Sequence, residues 1–132
     1  MSYLLDTNVC INLLRGCHKS VLQKLKTMPE KEILLCAIVK AELLVGATKL
    51  QSARQLEQLK LFFNRFDSIP FDDSAAKAYA KIRSNLERKG TPIGGNDLFI
   101  AAIAITNNLI LVTHNTREFS RVQGVKFEDW EA

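Results

Sequence analysis

An α/β fold with a mainly parallel sheet and helices on both faces is the architecture this sequence predicts. Short apolar runs alternate with helix-period stretches along the chain, and the first of them stops abruptly at an acid, as a buried parallel strand does. The 132 residues fit one domain and leave little room for a second. Hydrophobic residues make up 47% and charged residues 24%, so the chain can bury a real core. That mixture excludes disorder and a disulfide-stapled miniature.

Tyr3-Leu4-Leu5 reads as the first strand, ending at Asp6. Thr7 or Asn8 caps a helix that runs to about Arg15, where Gly16 closes it. A second helix covers roughly Lys19 to Thr27, with Val21, Leu22 and Leu25 on one stripe, before Pro29 and a charged patch. Ile33 to Cys36 is the second strand. A helix carrying Glu42 follows to about Ala47, and a long amphipathic helix then places Leu56, Leu59, Phe63 and Phe66 on one face. Ser68-Ile69 is a weak third strand before Pro70. Helix returns from Asp73 to about Lys89 and breaks at Gly90, Pro92, Gly94 and Gly95. Asn96 or Asp97 opens the apolar helix Leu98 to Ile105. Leu109 to Thr113 is the clearest strand, and Val125 to Phe127 is the last.

The apolar run Leu98 to Ile105 is far shorter than the roughly 20 residues that span a bilayer. Asp6 arrives too soon for the apolar stretch of a signal peptide. Cys10, Cys17 and Cys36 make no CxxC pair and their number is odd, which points to a reducing, cytoplasmic setting with the thiols as small apolar fillers. The 18 Lys and Arg against 14 Asp and Glu leave a net charge of +4, which favours an acidic partner without singling out nucleic acid.

Three acids stand where a purely structural account is strained. Asp6 sits at the end of an apolar strand, where it either caps the next helix or faces a ligand beyond the strand ends. Glu42 lies within Ala37 to Val45 among apolar residues, which predicts a mostly buried helix. An unpaired carboxylate there is expensive, and a metal ion or a Lys would resolve the cost. Lys40 is the alternative surface neighbour. Asp97 follows the tight turn Pro92-Ile93-Gly94-Gly95-Asn96, where an acid either complements the helix dipole or is aimed into a cleft. Together the three offer hard oxygen ligands, which suit Mg²⁺ or Mn²⁺. The sequence has no GxSxG, no GxxxxGK(S/T), no GxGxxG and no HExxH. His18 beside Cys17 imitates a soft-metal pair but lacks further ligands at zinc-like spacing, and His114 reads as a surface histidine past a strand end.

Leu4-Leu5-Asp6-Thr7-Asn8, Ala41-Glu42-Leu43 with Gly46-Ala47, and Pro92 to Asp97 with Ile100-Ala101-Ala102 resemble the PIN-domain ribonucleases, and among them the VapC toxins of bacterial toxin–antitoxin pairs. Leu111 to Phe119 and the closing Glu128-Asp129-Trp130 extend the resemblance, which covers residues 1–132 as a single PIN domain. The resemblance implies a three-layer sandwich around a five-stranded parallel sheet in the order 3-2-1-4-5. It implies Mg²⁺- or Mn²⁺-dependent endonucleolytic cleavage of RNA, with Asp6, Glu42 and Asp97 as metal-binding acids. Many PIN domains carry an aspartate just past the fourth strand; Asn115 stands there in this chain, with Glu118 as the nearest substitute and the second metal in question. Thr113 and Thr7 are expected to hold the acids or a water through their hydroxyls.

Substrate grip is assigned to Arg15 and Arg117, with Arg121 also near the site. The stripe Lys77, Lys81 and Arg88, with Arg83 and Lys89, reads as a solvated helix face. The family resemblance further implies a cognate VapB-like antitoxin lying in a groove over the first helices, with Leu13, Leu14 and Leu43 as lining or as core, and a homodimer. A phospho-acceptor receiver domain has the same size and an acidic pocket, but it needs an acidic pair at the first strand's end and a late Lys, and this sequence has neither. A catalytically silent nucleic-acid-binding partner of the antitoxin complex is the alternative that Asn115 keeps open.

Overall fold

Fully apolar strand residues dictate the centre of the molecule, because a strand buried on both faces has no polar side to show. Residues 1–131 are described by the computed structural model. The chain runs β1 (Tyr3–Leu5), α1 (Thr7–Arg15), α2 (Lys19–Lys26), a single 3₁₀ turn at Glu30–Glu32, then β2 (Ile33–Cys36) and α3 (Ala37–Lys49). It continues with α4 (Ala53–Arg65), β3 (Asp67–Ile69), α5 (Asp73–Lys89), α6 (Gly95–Thr106), β4 (Ile110–Val112), α7 (Thr116–Phe119) and β5 (Lys126–Glu128). All neighbouring strands pair parallel in the order β3-β2-β1-β4-β5, as expected. No helix among the described residues is long and apolar enough to cross a membrane.

The strand order reverses between β1 and β4, so the ends of these two strands open a crevice. Their register sets what meets there. Leu5 pairs with Val112, and the ladder continues one step further as the Asp6 amide donates to the Val112 carbonyl at 3.0 Å. Asp6 and Thr113, the first residues past β1 and β4, are thereby fixed side by side.

Beneath the crevice, α6 is apolar on every side and is buried on every side: Leu98, Ile100, Ala101, Ala102, Ile103 and Ala104 are all core. α5 packs along it. Gly16 and Gly90 close α1 and α5 at φ of 70° and 68°, the left-handed conformation that glycine adopts without Cβ strain.

Several expectations are corrected. Asp6, not Thr7 or Asn8, caps α1, and α6 begins at Gly95 with Gly94 as its cap, so Asp97 lies inside the first turn. On α4 the buried residues are Leu59 and Phe62; Phe63 is only partly buried and Leu56 is exposed, because the helix turns its face by one residue from the expected stripe. Cys17 is exposed rather than a core filler, while Cys10 and Cys36 are buried as expected.

Candidate active site

The end of β1 delivers Asp6 because Leu4 and Leu5 are drawn fully into the sheet and the chain must then leave it. Only 5% of Asp6 is exposed, so its carboxylate needs partners. Oδ1 accepts from the Thr7 amide at 2.8 Å, and Oδ2 accepts from the Thr113 hydroxyl at 2.8 Å. One oxygen therefore caps the helix, and the other is tied to the first residue past β4. Burial raises the Asp6 pKa, the bonds from Thr113 and Thr7 oppose that rise, and the charge of Glu42 adds to it.

Glu42 reaches the same place from α3, where its Oε1 accepts from the Thr7 hydroxyl at 2.9 Å. The expected reason for its setting is corrected. α3 is not mostly buried, since Leu44 and Val45 are 40% and 50% exposed and Glu42 itself is half-buried. Lys40 does not serve as its partner: the ammonium lies over the Phe63 ring, 5.0 Å from the centroid.

Asp97, Asn115 and Glu118 form the third part. The Asn115 side-chain amide donates to Asp97 Oδ2 at 3.0 Å and to Glu118 Oε2 at 3.2 Å. It is this N–H group, not the carbonyl, that faces the acids. Asp97 has its pKa pushed up to about 8, first by burial, then by its hydrogen bond with Glu118 and by the charges of Asp6, Glu118 and Glu42. Glu118 is held below its usual value chiefly by that same bond. In the absence of a cation, then, Asp97 holds its proton more tightly than Glu118 does. Thr113 links the parts: fully buried, it donates to Asp6 and accepts the Asn115 amide at 3.0 Å.

Four carboxylates thus share one region, and among the described residues no Lys, Arg or His forms a salt bridge with any of them. Oxygen-only donors with uncompensated charge fit a hard divalent cation. The acids stand wider than a closed ligand set. Among the described residues, the only group of three acid, His or Cys side chains with ligand atoms within 4.8 Å of one another lies elsewhere.

Of the two arginines assigned to substrate, Arg15 does border the site: with Glu42 it lines a groove of about 290 Å³ between α1, α3 and α4. Leu14 and Leu43 line the same groove, whereas Leu13 packs against the core instead. Arg117 is exposed on α7. Arg121 has a fixed role that the sequence reading left open. Its Nη1 donates to the Pro92 carbonyl at 3.1 Å, tying α7 to the loop before Asp97, and its charge helps keep Glu118 ionised. The three-residue spacing from Glu118 to Arg121 was the available signal.

A family model described as the PIN domain matches residues 3–125. This chain belongs to the PIN-domain family. Within it, the VapC ribonucleases are its relatives. The PIN domain is 37% identical over 131 residues to the tRNA(fMet)-specific endonuclease VapC of Shigella flexneri, covering 98% of each chain. It is 36% identical over 133 residues to ribonuclease VapC2 of Rickettsia felis, covering 99% of each. Among solved structures, VapBC2 from Rickettsia felis bound to a promoter DNA fragment superposes with a TM-score of 0.90 at 35% identity, covering 98% of this chain and 99% of that one. VapBC-1 from nontypeable Haemophilus influenzae gives 0.92 at 31%, covering all of both chains. PIN-domain nucleases generally work with a divalent metal, in agreement with the donor set of this PIN domain.

Proposed function

We propose that this PIN domain, over its whole length, is the toxin of a type II toxin–antitoxin pair, a Mg²⁺-dependent endoribonuclease for which Mn²⁺ substitutes. The observation that carries the reading is the concentration of four carboxylates at the β1/β4 crevice, none of them salt-bridged to a Lys, Arg or His among the described residues. Its relatives named ribonucleases and its structural neighbours named VapBC support the same conclusion.

Asp6, Glu42 and Asp97 hold the ion in this reading. A bound divalent ion neutralises phosphate charge and lowers the pKa of a water that attacks the phosphodiester. The protein's own residues then have separate tasks. Thr7 and Thr113 aim the carboxylates of Glu42 and Asp6 through their hydroxyls. Asn115 orients Asp97 and Glu118 without adding charge, and Glu118, kept ionised, adds negative charge beside Asp97. Arg15 and Arg117 grip the RNA backbone beside the acids.

The groove beside Glu42 is the seat of a VapB-like antitoxin segment. Its floor is apolar, with Leu14, Leu43, Leu50 and Leu59, and its end is acidic, so it suits an amphipathic segment carrying a basic side chain toward the acids. A homodimer built on the exposed apolar residues of α3 and α4, and a cytoplasmic location, complete the reading. The test is an Mg²⁺ and Mn²⁺ titration on a defined structured RNA with an EDTA control. Internal cleavage that tracks the added ion supports the proposal, and cleavage that persists in EDTA overturns it.

A further inference from the structure

A second cluster of metal-ligating side chains lies outside the acidic crevice and is used by none of the chemistry above. His114 follows Thr113 at the end of β4, and the chain past β5 brings Asp129 and Glu131 back against it. His114 Nδ1 stands 3.0 Å from Asp129 Oδ2 and 3.6 Å from Glu131 Oε2. The three ligand atoms all lie within 4.8 Å of one another.

We propose that His114, Asp129 and Glu131 form a binding site for a zinc-class transition ion, with water in the fourth position. The spacing is the first argument. Zinc binds imidazole nitrogen and carboxylate oxygen at about 2.0–2.2 Å, so neighbouring ligands of a tetrahedral ion are about 3.3 Å apart. The observed 3.0 and 3.6 Å bracket that edge, and small side-chain adjustments admit the ion. Ligand chemistry is the second argument. One imidazole with two carboxylates suits borderline ions and distinguishes this cluster from the oxygen-only crevice.

The support around Glu131 is the third. Its side chain is only 8% exposed, and its other oxygen, Oε1, accepts from His18 Nε2 at 3.0 Å and from the Asn12 amide at 3.1 Å. Oε2 is thereby turned toward His114. His18 reaches this position with a backbone φ of 55°, a left-handed conformation uncommon outside glycine, at the turn between α1 and α2. His18 is a positioning residue here. Such partners of ligating carboxylates typically matter by about 10–100-fold in affinity. His114 is 66% exposed, which leaves a path for the ion and room for the water. Binding replaces the proton shared between His114 and Asp129, which leaves to solvent, and no redox change is involved.

The test uses untagged protein carrying Asp6→Asn and Asp97→Asn, so that the crevice does not compete for the ion. Zn²⁺ is titrated by calorimetry and native mass spectrometry with excess Mg²⁺ present. One bound Zn²⁺ is expected, accompanied by a rise in melting temperature. His114→Ala, at a side chain that is 66% exposed, should weaken binding by at least about tenfold and abolish the rise. His18→Gln should leave the ion bound with about 10–100-fold lower affinity. Absence of a bound Zn²⁺, or binding undiminished by His114→Ala, overturns the proposal.

Discussion

The Thr113 hydroxyl donates to Asp6 Oδ2 at 2.8 Å and accepts the Asn115 amide at 3.0 Å. One fully buried side chain therefore ties the acid at the end of β1 to the residue that orients Asp97 and Glu118. Thr113→Val keeps the shape and removes both bonds, leaving Asp6 without its cross-strand donor. Cleavage and Mg²⁺ affinity should each fall by about 10–100-fold, the usual cost of losing a partner of a metal ligand. Thr113→Ser should restore most of both. Equal activity of the Val and Ser variants would show that the hydroxyl does not matter.

The pKa values make the metal-free protein sensitive to pH. Asp6 and Asp97 both titrate above their ordinary value of 3.8, Asp97 at about 8. A raised folded pKa contributes stability that is complete below the ordinary value and is lost as pH rises through the folded one. Glu118, with a lowered pKa, acts in the opposite sense but is less buried, so the two aspartates dominate. The melting temperature without metal should therefore fall between about pH 4 and pH 8, and Mg²⁺ should recover it most at the upper end. Asp97→Asn should raise the metal-free melting temperature at pH 8. A wild-type profile that rises over this window would contradict the electrostatic account.

Phe119 anchors α7, and α7 carries Glu118 and follows Asn115 directly. Phe119 is fully buried although its helix has only four residues. Phe119→Ala should cost about 3–5 kcal/mol in denaturant unfolding, as large-to-small changes in a packed core do. A loss below about 1 kcal/mol would mean that the site loop is held by something else.

If Arg15 and Arg117 hold phosphates, RNA affinity should fall steeply with salt. Each Arg→Ala change should flatten the log–log salt slope by about 0.7 for a single-stranded contact. Binding to a non-cleavable RNA, measured between 50 and 200 mM salt as a conventional range, gives the slope. An unchanged slope in the double variant would remove both residues from the interface.

The strands at the centre were legible because burial on both faces leaves an unbroken apolar signature. Leu4-Leu5, Ile33 to Cys36 and Leu109 to Val112 carry it, and Asp6 and Thr113 mark where two of them end. The edge strands β3 and β5 show less, since Asp67, Ser68 and Lys126 face solvent. α7 is too short to show any helical period. α3 misled because its apolar residues serve two surfaces: Val39, Leu43 and Ala47 enter the core while Leu44 and Val45 remain outside. The three acids stood out by position, each with a capping or surface reading beside it, and only the family resemblance grouped them; the bridging amide of Asn115 did not stand out at all. Nothing local shows which end of an amide a fold turns inward. His114 and Asp129 are fifteen residues apart, so the cluster exists only once β5 returns beside β4.

RNA cleavage by the single variants Asp6→Asn and Asp97→Asn tests most directly whether these two acids hold the catalytic ion. Circular dichroism and melting curves would confirm that each variant is folded. With saturating Mg²⁺ and a structured RNA, each variant should lose at least about 10²–10³-fold in rate, corresponding to several kcal/mol of transition-state stabilisation at 1.36 kcal/mol per tenfold. Cleavage by either folded variant at the wild-type rate would contradict the account.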